Sequence, residues 1–152
     1  MEIRKADIND IDILVANRIE FLNDMTVNKV ILTEEFIKST HDYMLEHITD
    51  ESMITWMAIE SGVIISTVMV CYYQILPVLT NFSGKTGYIL NVFTHPDYRR
   101  KGIASQLINS MIQESRERKV GKLYLSASEM GMLVYKKLGF EVLTREMAYK
   151  IL

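Results

Sequence analysis

The segment Asn91-Val-Phe-Thr-His-Pro-Asp-Tyr-Arg-Arg-Lys-Gly-Ile-Ala104 confines the fold more than any other stretch of this sequence. An apolar strand ends at Thr94, a proline and three consecutive cations follow, and a helical stripe of Ile103, Ala104, Leu107, Ile108, Met111 and Ile112 begins at once. A strand that passes through a basic turn straight into a helix is a place where an anion can sit. The first-turn N–H groups of a helix have no intrahelical acceptors, and the helix dipole puts partial positive charge at the same point. Gly102 and Ala104 keep the approach free of bulk while Arg99, Arg100 and Lys101 add formal charge, which suits a pyrophosphate.

The remaining elements are placed around this junction. Glu2 to Lys5 reads as a short strand, and Ile11, Leu14, Val15, Ile19 and Leu22 recur at helical spacing after it. Thr33 is positioned to cap a second helix that presents Phe36, Ile37, Tyr43, Met44 and Ile48, with Glu34 and Glu35 in its first turn. Met53 to Ile59 and Val63 to Ile75, split by Ser61-Gly62, form a hairpin pattern, and Tyr88 to Thr94 is the strand that enters the basic turn. The stripe predicts a helix over Ile103 to Lys119. Lys122 to Ala127 is a strand, Glu129 to Leu138 a short helix that Gly139 can end, and Glu141 to Ile151 a closing strand. The order βαα, ββ, β, α, β, α, β predicts one α/β domain over residues 1–152, a mixed central sheet flanked by helices.

Composition bounds the function. The 152 residues fit one domain, and 49% hydrophobic with 24% charged residues is the balance of an ordinary globular chain. Apolar runs are interrupted before they reach membrane-spanning length, and the N-terminus has no basic region followed by an apolar core, so a cytoplasmic protein without a membrane partner is expected. The single cysteine, Cys71, lies in an apolar run and reads as a core thiol; no cluster of residues suggests a metal. Residues 1–60 carry 5 Lys and Arg against 13 Asp and Glu, net −8, whereas residues 61–152 carry 12 against 6, net +6. An anionic ligand in the basic half and a cationic one near the acidic half would follow. Nucleic-acid binding is disfavoured by the overall charge of −2 and by the lack of aromatics among the basic clusters.

Alone, Arg99-x-x-Gly102-x-Ala104 is a weak pattern that a helix-capping turn also satisfies. Preceded by Val92-Phe93-Thr94-His95-Pro96, and in this element order, it resembles the acetyl-CoA signature of the GNAT N-acetyltransferases. A second anchor, Ser128-x-x-Gly131-x-x-x-Tyr135-x-Lys137-Leu138-Gly139-Phe140, is similar to the family's late Tyr-x-x-Leu-Gly-Phe segment. The resemblance covers nearly the whole chain and implies direct transfer of an acetyl group from acetyl-CoA to a primary amine of a small molecule or peptide. It implies that the pantetheine arm binds main-chain groups of Val92, Phe93 and Thr94, that the phosphates bind Arg99 to Ala104 including Ile103, and that Tyr135 is the general acid. A phenol is in its own right a plausible proton donor to a departing thiolate. Many relatives carry Asn where this chain has Ser128, whose hydroxyl is expected to cap the helix or meet the cofactor arm. The sequence departs from relatives with a glutamate on the signature strand, because residues 87–94 contain no acid. Water, Glu60 or Glu129 is then left to take the amine proton; His41, His47 and His95 match in chemical type only. A homodimer is an expectation from resemblance, and a non-catalytic acyl-CoA sensor is the competing reading.

Overall fold

The computed structural model describes residues 1–25, 32–143 and 147–151. Five strands, β1 (Glu2–Lys5), β2 (Met53–Glu60), β3 (Val63–Gln74), β4 (Lys85–Thr94) and β5 (Lys122–Leu125), form one sheet in sequence order, antiparallel except for the parallel β4–β5 pair. Helices α1 (Ile11–Met25) and α2 (Glu34–Thr49) cover one face, and α3 (Ile103–Glu117) and α4 (Glu129–Lys137) the other.

Local chemistry accounts for the elements. Asp7 and Asp10 form a reciprocal capping box around the 3₁₀ turn Ile8–Asp10 that leads into α1, and Thr33 Oγ1 accepts the Phe36 N–H at 3.2 Å to start α2. Ser61 and Gly62 both have positive φ, 51° and 80°, so β2 and β3 join through a tight turn whose twist suits a hairpin. The amphipathic stripe of α3 delivers Ile103, Leu107, Ile108 and Met111 to a core with Ile54, Ala58, Val68, Val70, Ile89 and Tyr135. On the opposite face α1 and α2 bury Ile11, Leu14, Val15 and Met44 against Met53, Met57 and Met69. Three facing methionines from two strands make this second core unbranched and adaptable in shape.

Two departures from the sequence-based expectation matter. Residues 141–143 and 147–151 form no strand, although Met147, Tyr149 and Ile151 alternate as a strand would; these three side chains are 98%, 91% and 86% exposed. Alternation specifies only which side of a sheet a residue would face, and a strand exists when a neighbour satisfies its backbone, which none does for these residues. Cys71 is half-buried rather than enclosed, at the rim of the methionine core, where its thiol receives the Tyr43 hydroxyl at 3.3 Å.

Candidate active site

The geometry of the site begins with an interruption in β4. Thr67 pairs with Phe93 and Met69 with Leu90, so Asn91 and Val92 together face the single residue Val68. This is a β-bulge, and Asn91 within it has a left-handed φ of 50°. On the other edge β4 meets β5 only from Thr86 to Ile89; the partners are Lys122 to Leu125. From Leu90 to Thr94 the strand has no β5 partner among the described residues, and this unpaired edge beyond Ile89 and Leu125 is the wedge between the two strands. An extended amide chain inserted there would be held as a strand is held.

The open half of β4 leads directly to the basic turn. Gly102 stands at the N-terminus of α3 with φ of 79°, and no side chain caps the helix. Arg100 is also left-handed, at 64°. Backbone of this alternating kind turns successive N–H groups toward one side, and with the uncapped first turn of α3 it makes a concavity whose chemistry suits an anion. A Cβ built on Gly102 would meet no atom within 4 Å, so the glycine is demanded by its φ, and the space beside it is open. Arg100, Lys101 and Gly102 are exposed, with the Lys101 ammonium 4.8 Å from the centre of the Tyr98 ring. Arg99 is committed to the protein: Nε donates to the Thr94 carbonyl at 2.9 Å and Nη2 pairs with Asp24 of α1 at 2.6 Å. Of the three expected cations, Arg99 therefore fixes the shape of the turn and the other two remain available.

The sequence-predicted strand positions divide by face. Phe93 is buried at 3% exposure and packs edge-on against Phe21 of α1, centroids 6.4 Å apart, while Val92 joins the α3-side core. Thr94 Oγ1 lies 2.8 Å from Ser66 Oγ. Ile103 is a core residue, and Ala104, half-buried beside it, follows the uncapped turn. Ser128 caps α4 by accepting the Gly131 N–H at 3.2 Å, as its hydroxyl suggests.

Tyr135 is brought to the same end of the sheet by α4. Its ring is 8% exposed, rests edge-on against Phe140 at 5.9 Å, and lines a cavity of about 240 Å³ with Leu125, Ser126 and Ala127 beyond the end of β5. Gly131 is needed one turn earlier, because a Cβ there would come within 2.8 Å of Tyr135 Cε2. No described residue takes a hydrogen bond from the Tyr135 hydroxyl, and burial pushes its pKa above the ordinary value of 10.0. The phenol is consequently a protonated donor throughout the neutral range.

The candidate bases are not gathered here. Glu60 bonds the Tyr98 hydroxyl, Glu129 lies in the first turn of α4, and His41 and His47 belong to α2. His95 meets Tyr98 edge-on, ring centres 6.1 Å apart, and keeps a buried Nδ1 without a hydrogen-bond partner among the described residues. What sequence reasoning missed is a polar network on the α1 side of the bulge. Asn91 Nδ2 donates to Asn17 Oδ1 at 3.3 Å and to Thr67 Oγ1 at 3.2 Å, Thr67 Oγ1 donates to Asn17 Oδ1 at 2.7 Å, and Arg18 Nη1 donates to Asn91 Oδ1 at 3.1 Å. A polar Asn17 on the otherwise apolar inner stripe of α1 was the available signal.

Comparison with known proteins agrees with this geometry. The family model described as acetyltransferase (GNAT) family matches residues 20–140. A predicted acetyltransferase from Clostridium acetobutylicum, solved with acetyl-CoA, superposes with a TM-score of 0.88 at 29% identity, covering 99% of this chain and 96% of that one. A GCN5-related N-acetyltransferase from Ralstonia eutropha gives 0.87 at 26% identity, covering 99% and 97%. Curated relatives match over shorter stretches. A glucosamine 6-phosphate N-acetyltransferase of Trypanosoma brucei brucei is 34% identical over 74 residues, 49% of this chain and 50% of the relative. The human cysteine-rich protein 2-binding protein is 44% identical over 54 residues, 36% of this chain and 7% of its own length. The chain thus spans half or less of these curated relatives, while the family match takes in the bulged strand, the basic turn and Tyr135 together: this protein belongs to the GNAT acetyltransferase family.

Proposed function

We propose that the protein transfers the acetyl group of acetyl-CoA directly to a primary amine. The observation that carries this reading is the wedge between β4 and β5, continuous with an uncapped, glycine-started helix and ending near a buried, protonated tyrosine. The residues present fit the cosubstrate. The pyrophosphate would lie against the N–H groups of Arg100 to Ala104, with Arg100 and Lys101 beside it, and the pantetheine amides along the edge of Val92 to Thr94 that has no β5 partner. Ser128 is positioned, once its capping bond is made, to meet the arm near the start of α4.

In the reaction the amine nitrogen attacks the thioester carbonyl and main-chain N–H groups of β4 stabilise the oxyanion. The carbon–sulfur bond then breaks, and Tyr135 gives its proton to the sulfur. The ammonium formed in the attack releases its proton to water, because β4 contributes no carboxylate and the network at Asn91 is uncharged apart from Arg18. No covalent enzyme intermediate is required.

The test is binding of acetyl-CoA by calorimetry, followed by thiol release against a panel of amines for the native protein and Tyr135→Phe. The expected result is binding within about threefold of native in the variant, with kcat lower by about 10²- to 10⁴-fold, the range of a general acid. Binding without release from any amine would instead favour a sensor.

A further inference from the structure

Arg18 stands apart from the other cations that face the site. Its helix lies along the open half of β4: Asn17 and Arg18 meet Asn91, Phe21 meets Phe93, and Asp24 holds Arg99. The guanidinium is half-buried, 5.4 Å from the centre of the Phe21 ring, and among the described residues no carboxylate pairs with it, although residues 1–60 are rich in acids. Among the described residues one hydrogen bond, to Asn91 Oδ1, is made by a group that has five N–H donors. That bond is held in place by the network behind it: Asn91 spends both amide protons on Asn17 and Thr67, which aims its oxygen at Arg18. Asn91 also sits at a left-handed φ of 50°, a conformation that asparagine adopts more readily than other residues with a Cβ.

The position is separate from the phosphate-binding turn. Asp24, which anchors that turn, lies six residues further along α1 than Arg18, roughly 9 Å at 1.5 Å per residue. Arg18 is instead on the α1 and α2 side of the sheet, close to Cys71 and the Tyr43 hydroxyl bonded to it. Cys71, Tyr88 and Tyr124 are register neighbours across β3, β4 and β5 and therefore share one face. Tyr73 lies on that face two residues beyond Cys71. Tyr43, Tyr73 and Tyr88 are 44%, 46% and 38% exposed, an aromatic floor with one oriented, unneutralised cation at its end beside the bulge.

We infer that Arg18, oriented by Asn91, binds an anionic group, carboxylate or phosphate, carried by the amine acceptor. The inference rests on the acetyltransferase reading and specifies its substrate class: an amine that also bears a negative charge, in contrast to the cationic acceptor that the acidic first half suggests. Arg18 is a specificity residue here and Asn91 a positioning residue, since the asparagine acts through the guanidinium.

The test compares kcat/KM for matched acceptors, glucosamine 6-phosphate with glucosamine and phenylalanine with phenylalaninamide, in the native protein, Arg18→Met and Asn91→Asp. Asn91→Asp sets a carboxylate against Arg18 and also gives up the amide bonds to Asn17 and Thr67, so it tests the positioning of the guanidinium, while Arg18→Met alone tests selectivity. The native protein is expected to prefer the anionic member of at least one pair, phosphate and carboxylate sources being told apart by which pair responds. Both substitutions should lower kcat/KM for that member by about 10- to 100-fold, the range of a charge-assisted hydrogen bond, and Arg18→Met should leave its neutral counterpart within about twofold. A native preference for the neutral members, or equal losses on both members of a pair in Arg18→Met, would overturn the inference.

Thermal stabilisation by inorganic phosphate, measured with coenzyme A saturating, separates this outcome from failure of the acetyltransferase reading. Its general effect on folded proteins cancels between native and Arg18→Met. If no amine turns over, a phosphate shift present in the native protein and absent in the variant still supports the anion site, and an equal shift in both rejects it.

Discussion

Asn91 shows how much a single residue can carry in a site of this kind. The sequence makes it a polar break in an apolar strand; the structure makes it the bulge, the anchor of a buried network and the neighbour of Arg18. Tyr135 is its counterpart across the sheet, and its behaviour with pH follows from burial. A phenol whose pKa is raised stays protonated until the solution passes the raised value, so the acid proposed for the reaction is lost only above about pH 10. Acetyl transfer should therefore rise with pH as the amine deprotonates and show no tyrosine-dependent fall below that point; a descending limb near neutrality that Tyr135→Phe abolishes would contradict this. Gly131 supports the same side chain by leaving it room. Gly131→Ala must push the Tyr135 ring aside by a few tenths of an ångström, and we expect kcat to fall with the acetyl-CoA Kd little changed, measured by steady-state kinetics and calorimetry.

Among the elements, the β4–turn–α3 unit joins local conformation to ligand chemistry. Gly102 has space for a Cβ but a φ of 79°, so Gly102→Ala strains the backbone without meeting a neighbour. The expected result is a loss of about 1 kcal/mol in denaturant unfolding, with a larger proportional rise in the acetyl-CoA Kd, because relief of the strain turns N–H groups away from the ligand. Equal acetyl-CoA affinity in the variant would argue that the turn does not hold phosphate. The start of α1 provides a contrasting case in which charge stabilises fold alone. Asp10 accepts from Arg4 at 2.7 and 2.8 Å and from the Asp7 N–H at 2.8 Å; Arg4 foremost, and then that backbone bond, hold its pKa below the usual carboxylate value against the opposing effect of burial. The folded-state pKa is depressed, so this stabilisation is complete above about pH 4 and is lost as pH falls through the lowered value. Asp10→Asn should flatten that acid limb, read by chemical denaturation at a series of pH values.

At the scale of the whole molecule the sheet is shared by two cores. Ile54, Val68 and Val70 face α3 while Met53, Met57 and Met69, their neighbours on the same strands, face α1 and α2. Neither core can open without disturbing strands that hold the other, so unfolding should be cooperative. Trp56, the single tryptophan, packs against the α3-side core, so its fluorescence reports one layer and far-ultraviolet circular dichroism reports both. Coincident denaturant transitions by the two probes are expected, and separated ones would show that the α1–α2 layer melts independently. Met57, with no exposed surface at the centre of the second core, offers the matching perturbation: Met57→Ala should cost about 2–5 kcal/mol by both probes.

Much of this was legible in the one-dimensional pattern. The cap at Thr33, the Ser61-Gly62 turn, the stripe of α3 and the strand that runs into Arg99–Gly102 depend on residues close together in sequence, where side-chain size, charge and backbone freedom act through adjacent bonds. The family resemblance lay in those same local motifs. Tertiary structure alone decided the rest. Which half of β4 lacks a neighbour depends on where β5 ends, Arg99 turned out to brace the loop through Asp24, and the strand-like alternation of 147–151 met no edge that would pair with it. Arg18 and Asn91, 73 positions apart, became partners because α1 lies along the bulge. A hydrogen bond between distant residues is set by how helices and sheet pack, and packing is a property of the assembled surfaces, which periodicity along the chain does not encode.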